Sequence, residues 1–304
     1  MHNKPILIQF LGFFVIAILS LAIFKEAGTL LADFLFSTNI FQLGMPSSIE
    51  NEATVNALKV IQLFTALGVF IFPPLIFTMI FKKEAWGYLD LNKNTTFVNY
   101  PTTIFIMLGA LPLINFFVGI NEAITLPASL KAVEQALFAA EKQAEQIIQA
   151  FLNVDSLSGL AFNLVLIALI PAIGEELFFR GIVQKLLMEW TKHAWLAIVI
   201  SGIIFSALHF QFYGFIPRMM MGILLGYLFY WTGSLWIPIL AHFTNNAAAV
   251  IMYYFIHNGK MDKTIDELGK QNDEIAYVIA SAGLVIFTLL YFYKNRETNY
   301  VSEG

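Results

Sequence analysis

Residues 159–181 read GLAFNLVLIALIPAIGEELFFRG. No charged residue occurs from Gly159 to Gly174, and then Glu175, Glu176 and Arg180 come within a few positions. A helix needs about 20 mostly apolar residues to cross a bilayer, and this stretch supplies them. Ionisable groups inside such a span cost roughly 2.5–3.5 kcal/mol each near its middle. A chain that keeps three of them at the end of an apolar run has a use for them. The stretch therefore points to a membrane helix bundle and to the place in it where chemistry belongs.

The rest of the chain agrees. Of 304 residues, 58% are hydrophobic and 12% charged, with a mean hydropathy of +0.72. An ordinary soluble domain is about 25% charged. This composition excludes a disordered chain, and 17 basic residues against 21 acidic ones argue against a nucleic-acid binder. The absence of cysteine removes disulfides, thiolate metal sites and cysteine nucleophiles together.

Apolar runs predict eight spans, at Ile6–Phe24, Leu58–Phe81, Pro101–Gly119, Gly159–Phe179, Ala194–Phe210, Phe215–Trp231, Trp236–Ile256 and Ala276–Tyr293. The sixth is short and contains Arg218. The first is long for a signal peptide and no small-x-small cleavage site comes after it, so it reads as a span. The expected fold is an all-α polytopic membrane bundle, one domain over residues 1–304 with its functional core at 159–256.

Eight spans put both termini on one side. That side carries Lys4, Lys82, Lys83, Lys93, Arg180, Lys185, Lys192, Lys294 and Arg296, nine basic residues against seven on the other. The positive-inside rule then places both termini in the cytoplasm, with a bacterial plasma membrane as the expected location. Between the third and fourth spans, Leu130, Val133, Leu137, Ala140, Ala144, Ile147 and Phe151 form a heptad-like stripe, with Lys131, Glu134, Glu141, Lys142 and Glu145 off it. It reads as an amphipathic helix over residues 128–152 lying on the bundle or the membrane, or covering a substrate.

Three polar clusters fall inside or at the ends of the apolar blocks. Glu176 and Arg180 are four apart with the acid first, the favourable order for a helical ion pair. Glu175 lies about 100° round the helix and has Phe179 four residues on, so it is free for another role. Phe205 precedes His209 by four near the end of the fifth span. His242 precedes Asn246 by four in the seventh, which puts them on one helix face. His209 and His242 are the two of five histidines that fall within apolar blocks. A carboxylate in a low-dielectric pocket can serve as a general base. Histidine can orient the same water or bind a metal, and an asparagine amide can donate to an oxyanion. The group suits hydrolysis of an amide by activated water, in one cavity expected in the cytoplasmic half of the bundle. Glu175, His209 and His242 are also a conceivable zinc-ligand set. No H-E-x-x-H occurs, the six aspartates read as loop residues, and Ser201, Ser206 and Ser234 lie outside any G-x-S-G.

In this order the clusters resemble the motifs E-E-x-x-x-R, F-x-x-x-H and H-x-x-x-N of the CPBP family of intramembrane endopeptidases, also called the Abi or CAAX-protease-like family. The resemblance spans roughly Gly159 to Ile256. It implies that Glu175 activates water, that His209 helps to hold that water, that His242 and Asn246 stabilise the oxyanion, and that Glu176, Arg180 and Phe205 shape the site. It implies a peptide or protein substrate at the bilayer, with either a glutamate or a zinc mechanism. A non-catalytic scaffold or immunity protein that binds partners, and a transporter, remain the competing classes. Glu175, His209 and His242 together favour the hydrolase over the scaffold, and the lack of matched halves disfavours the transporter.

Overall fold

The computed structural model describes residues 4–43, 49, 51–82, 84–265, 267–271 and 274–296. Of the charged residues and histidines of the chain, His2, Glu50, Lys83, Asp266, Asp273, Glu297 and Glu303 lie outside the described residues. The described residues contain helices and no strands. The long helices are α1 (Ile6–Phe36), α2 (Glu52–Phe81), α3 (Asn99–Gly109), α4 (Leu111–Glu122), α5 (Lys131–Leu152), α6 (Leu157–Thr191), α7 (Ala194–Ala207), α8 (Phe215–Thr232), α9 (Trp236–His257) and α10 (Ile275–Lys294).

By length and apolarity, α1, α2, α6, α9 and α10 can each cross a membrane. The pair α3 and α4, bent by 44° at Ala110, makes a sixth span if taken as one. The remaining two expected spans are the helices α7 and α8. At 14 residues α7 rises only about 21 Å, short of a bilayer core of about 30 Å. Eight is therefore an approximate number: all eight blocks are helical, but five or six qualify as spans on their own.

Two helices run past their apolar blocks. α1 continues to Phe36 because Gly28, Thr29 and Ala32 keep a buried face. Asp33 is therefore a helix residue, not a loop residue. Its carboxylate closes the helix, accepting from Thr38 Oγ1 at 2.6 Å, Ile40 N at 2.7 Å and Phe41 N at 2.8 Å. α6 continues to Thr191 because Ile182, Val183, Leu186 and Leu187 prolong its apolar face into the core.

The alternating helices give the bundle two ends. At the end bearing the termini of α1 and α10, Lys185 of α6 donates to the Tyr88 carbonyl and to Asp90 Oδ2, and Lys93 Nζ lies 2.9 Å from Asp90 Oδ1. Ser234 Oγ and Trp236 Nε1 tie the start of α9 to the same loop through the carbonyls of Lys93 and Leu91. At the other end, Asn121 of α4 clamps the α7–α8 loop. It donates to Phe212 O at 2.9 Å and accepts from Ile216 N at 2.7 Å.

α5 lies across this second end. Leu137, Ala144, Ile147 and Phe151 face inward as the stripe predicts, but Leu130, Val133 and Ala140 are exposed. Glu134 and Glu141 turn inward instead, accepting the backbone N–H of Leu126 and of Tyr213, both at 3.0 Å. A loop N–H without a strand or helix partner needs an acceptor, and these carboxylates supply it.

Candidate active site

Glu175 sits halfway along α6, between two π-helical turns at Leu164–Leu169 and Phe179–Val183. Such turns shift the register of a helix and recur at functional sites. Glu176 and Arg180 are fully buried and paired, Arg180 Nη1 donating to Glu176 Oε1 at 2.9 Å. A second arm of Arg180 donates to the carbonyl of Gly222 at 2.5 Å, and Gln184 Nε2 donates to Gly226 O at 3.1 Å. Both acceptors lie on α8, at the two glycines of Gly222-x3-Gly226. A Cβ at 222 would stand 3.0 Å from Gly202 Cα, so only a residue without a side chain lets α8 come this close to α7.

His242, two turns into α9, faces both glutamates. Its Nδ1 lies 2.9 Å from Glu176 Oε1 and its Nε2 lies 3.9 Å from Glu175 Oε2. A carboxylate here accepts, so Nδ1 carries the proton and Nε2 is turned to Glu175. The 3.9 Å gap is too long for a hydrogen bond. Glu175 Oε2 is buried with no hydrogen-bond partner.

Phe205 is the platform of the site. Its ring centre is 5.1 Å from that of His209 and 6.0 Å from that of His242, both edge to face, and the Arg180 guanidinium lies 5.3 Å over it. Its carbonyl also accepts from His209 Nδ1 at 2.8 Å. That bond assigns the tautomer and leaves His209 Nε2 as an acceptor.

A cavity of about 430 Å³ brings these groups together. Glu175, His209, His242 and Asn246 all line it, with Phe205. Asn246 holds its amide weakly, with Nδ2 3.5 Å from Ile167 O and Oδ1 accepting from Asn245 at 3.2 Å. Glu176 and Arg180 stand behind the wall. Ile148 and Phe151 of α5 also line the cavity, so it lies toward the end that α5 covers.

Sequence reasoning missed three contributors. The Glu176–His242 contact joins residues 66 positions apart and leaves no periodic signal. Asn245 lines the cavity beside Asn246. Arg218 lines it too, and its signal is a lone arginine in an apolar block, where it reads as a weakness of the span.

The zinc reading needs Glu175, His209 and His242 in one group. Among the described residues no three His, Asp or Glu side chains are grouped to hold a metal ion. The bonds from His242 Nδ1 to Glu176 and from His209 Nδ1 to the Phe205 carbonyl leave each Nε2 as the atom that could accept or ligate. As arranged, the three side chains are not such a group.

Residues 157–248 match the family model for type II CAAX prenyl endopeptidases, Rce1-like. Two curated proteins of Bacillus subtilis (strain 168) are similar to this part of the chain. "Uncharacterized protein YpbD" is 30% identical over 118 residues, 37% of this chain and 58% of that protein. "Putative membrane peptidase YdiL" is 29% identical over 121 residues, 40% of this chain and 48% of that protein. The chain thus spans about half the length of the curated relatives it matches. No solved structure matches it. Its three motifs are drawn to one cavity, and the segment 157–248 that carries them is similar to the Rce1-like type II CAAX prenyl endopeptidases.

Proposed function

We propose that the protein is an integral membrane endopeptidase that hydrolyses a peptide bond with water activated by Glu175. The observation that carries this is Glu175, whose buried Oε2 has no hydrogen-bond partner, lining one cavity with His209, His242 and Asn246. Glu175 takes one proton from a water that His209 Nε2 also holds. The water oxygen bonds to the scissile carbonyl carbon, and the carbonyl oxygen becomes an oxyanion. Two carboxylates and one guanidinium leave the cluster room for a second proton on His242. Its Nε2–H and the Asn246 amide then donate to the oxyanion. Glu175 returns its proton to the amide nitrogen, the C–N bond breaks, and an acid and an amine leave. No step uses a metal.

A scaffold has no need of an unsatisfied carboxylate in a cavity, whose burial costs stability without function. The experiment compares wild type with Glu175→Gln. Peptides released from cell membranes carrying each protein are read by mass spectrometry, and cleavage by the purified proteins is followed with and without a strong chelator. Products present only with wild type, at a rate the chelator leaves unchanged, are expected. Equal cleavage by Glu175→Gln overturns the assignment, and loss with the chelator, reversed on adding zinc, overturns the metal-free step.

A further inference from the structure

We propose that Arg218 binds a carboxylate of the substrate and so selects which peptides reach Glu175. The inference deepens the peptidase reading and rests on it for the cleavage of the bound peptide.

The residue is built into the cavity, not left on a surface. α8 begins at Phe215, and its first turn carries the guanidinium to the wall that also holds His209 and Pro217. Gln211 of the α7–α8 loop fixes it there. Nη2 donates to Gln211 Oε1 at 2.7 Å and Nη1 to Gln211 O at 3.3 Å. The plane rests on Gly214, where a Cβ would meet Nη2 and push the guanidinium out of this position.

Its bonding leaves donors over. Arg180, the other arginine of this region, is sealed in the core against Glu176. Arg218 binds only neutral oxygens of Gln211, and no ion pair joins it to a described carboxylate. Two of its five N–H groups are used, and three remain on a group that faces the cavity. Two carboxylates act on it through space without pairing with it: Glu141, whose Oε2 accepts the Tyr213 N–H, and Glu175 in the same cavity. A positioned guanidinium with free donors matches a carboxylate in charge and geometry. It also screens that anion from Glu175. The carboxylate can be the chain terminus or an Asp or Glu side chain.

The test uses the full-length protein in nanodiscs of neutral lipid, with Glu175→Gln as the non-cleaving background. Three pools of apolar octapeptides are offered: free acid at the C-terminus, C-terminal amide, and C-terminal amide with one internal Glu. Retained peptides are quantified by mass spectrometry. The proposal expects one carboxylate pool to be retained about tenfold or more over the plain amide, the order one charge-assisted hydrogen bond supplies. Preference for the free acid names the terminus, and preference for internal Glu names a side chain. Arg218→Gln should abolish the preference. Gly214→Ala, which keeps the charge but displaces it, should weaken it. Equal retention of all pools, no retention, or a preference that survives Arg218→Gln overturns the proposal. Binding is read without turnover, so absence of cleavage by wild type counts against the peptidase reading alone.

Discussion

Glu175 and Glu176 are neighbours in sequence with different partners. Glu176 is fully buried and accepts from both Arg180 and His242 through one oxygen. Replacing it by Gln leaves a buried guanidinium without its counter-charge, a loss of about 3–5 kcal/mol. Glu176→Gln is therefore expected to lower the thermal unfolding midpoint in detergent and the folded yield together. Glu175→Gln removes a carboxylate whose Oε2 has no partner, so its midpoint should match or exceed wild type while cleavage disappears. A Glu175→Gln protein that unfolds early would place Glu175 in the structural set. The ion pair of Glu176 was legible because four residues on one helix make neighbours. Its bond to His242 was not, because only the packing of α6 on α9 creates it.

At the level of the helices, the close approach of α7 and α8 holds the site from behind. The Gly222 carbonyl receives Arg180, and a Cβ at 222 would also stand 3.2 Å from Phe205 Cδ1. Gly222→Leu is expected to push α8 away, to remove that acceptor, and to abolish both the unfolding transition of the folded protein and cleavage. Gly119→Ala, where a Cβ meets nothing within 4 Å, is the matched control and should behave as wild type in both measurements. α5 shows where pattern reading stopped. Its apolar positions suggested a continuous stripe, yet Glu134 and Glu141 occupy the inner face to satisfy loop amides. Glu141→Ala is expected to release the 208–214 loop, and limited proteolysis between α7 and α8 should accelerate. Unchanged cleavage there would show that α5 is not the element that holds the loop.

For the whole molecule the open quantity is which end faces the cytoplasm. The margin of basic residues shrinks once packing is known. Arg180 and Lys185 are buried with acid partners, and Lys59 is buried with its Nζ 5.8 Å over Phe151 and 5.7 Å over Phe162, leaving six against six outside the core among the described residues. Cytoplasmic termini would put Lys93 on the inner side and Lys263 on the outer side. The chain has no cysteine, so single cysteines at Lys93 and Lys263 report cleanly to a membrane-impermeant thiol reagent. Only Lys263→Cys should be labelled in intact cells. Labelling of Lys93→Cys alone reverses the orientation, and labelling of both breaks the odd number of crossings between them.

By itself the sequence determined the class of solvent, the helical blocks and the three motifs. Hydropathy and four-residue spacing act locally, and local order survives in a list of residues. It also separated Glu175 from Glu176 by helical offset alone. Tertiary structure decided what depends on approach between distant segments. The bend at Ala110, the extension of α6 beyond Phe179, and the inward turn of Glu134 and Glu141 come from the surfaces each segment packs against. The cavity itself belongs to that second set. In lipid every polar group must find a partner within the protein. Glu175, His209, His242, Asn246 and Arg218 meet because three glycines, one phenylalanine ring and two π turns let four helices converge there.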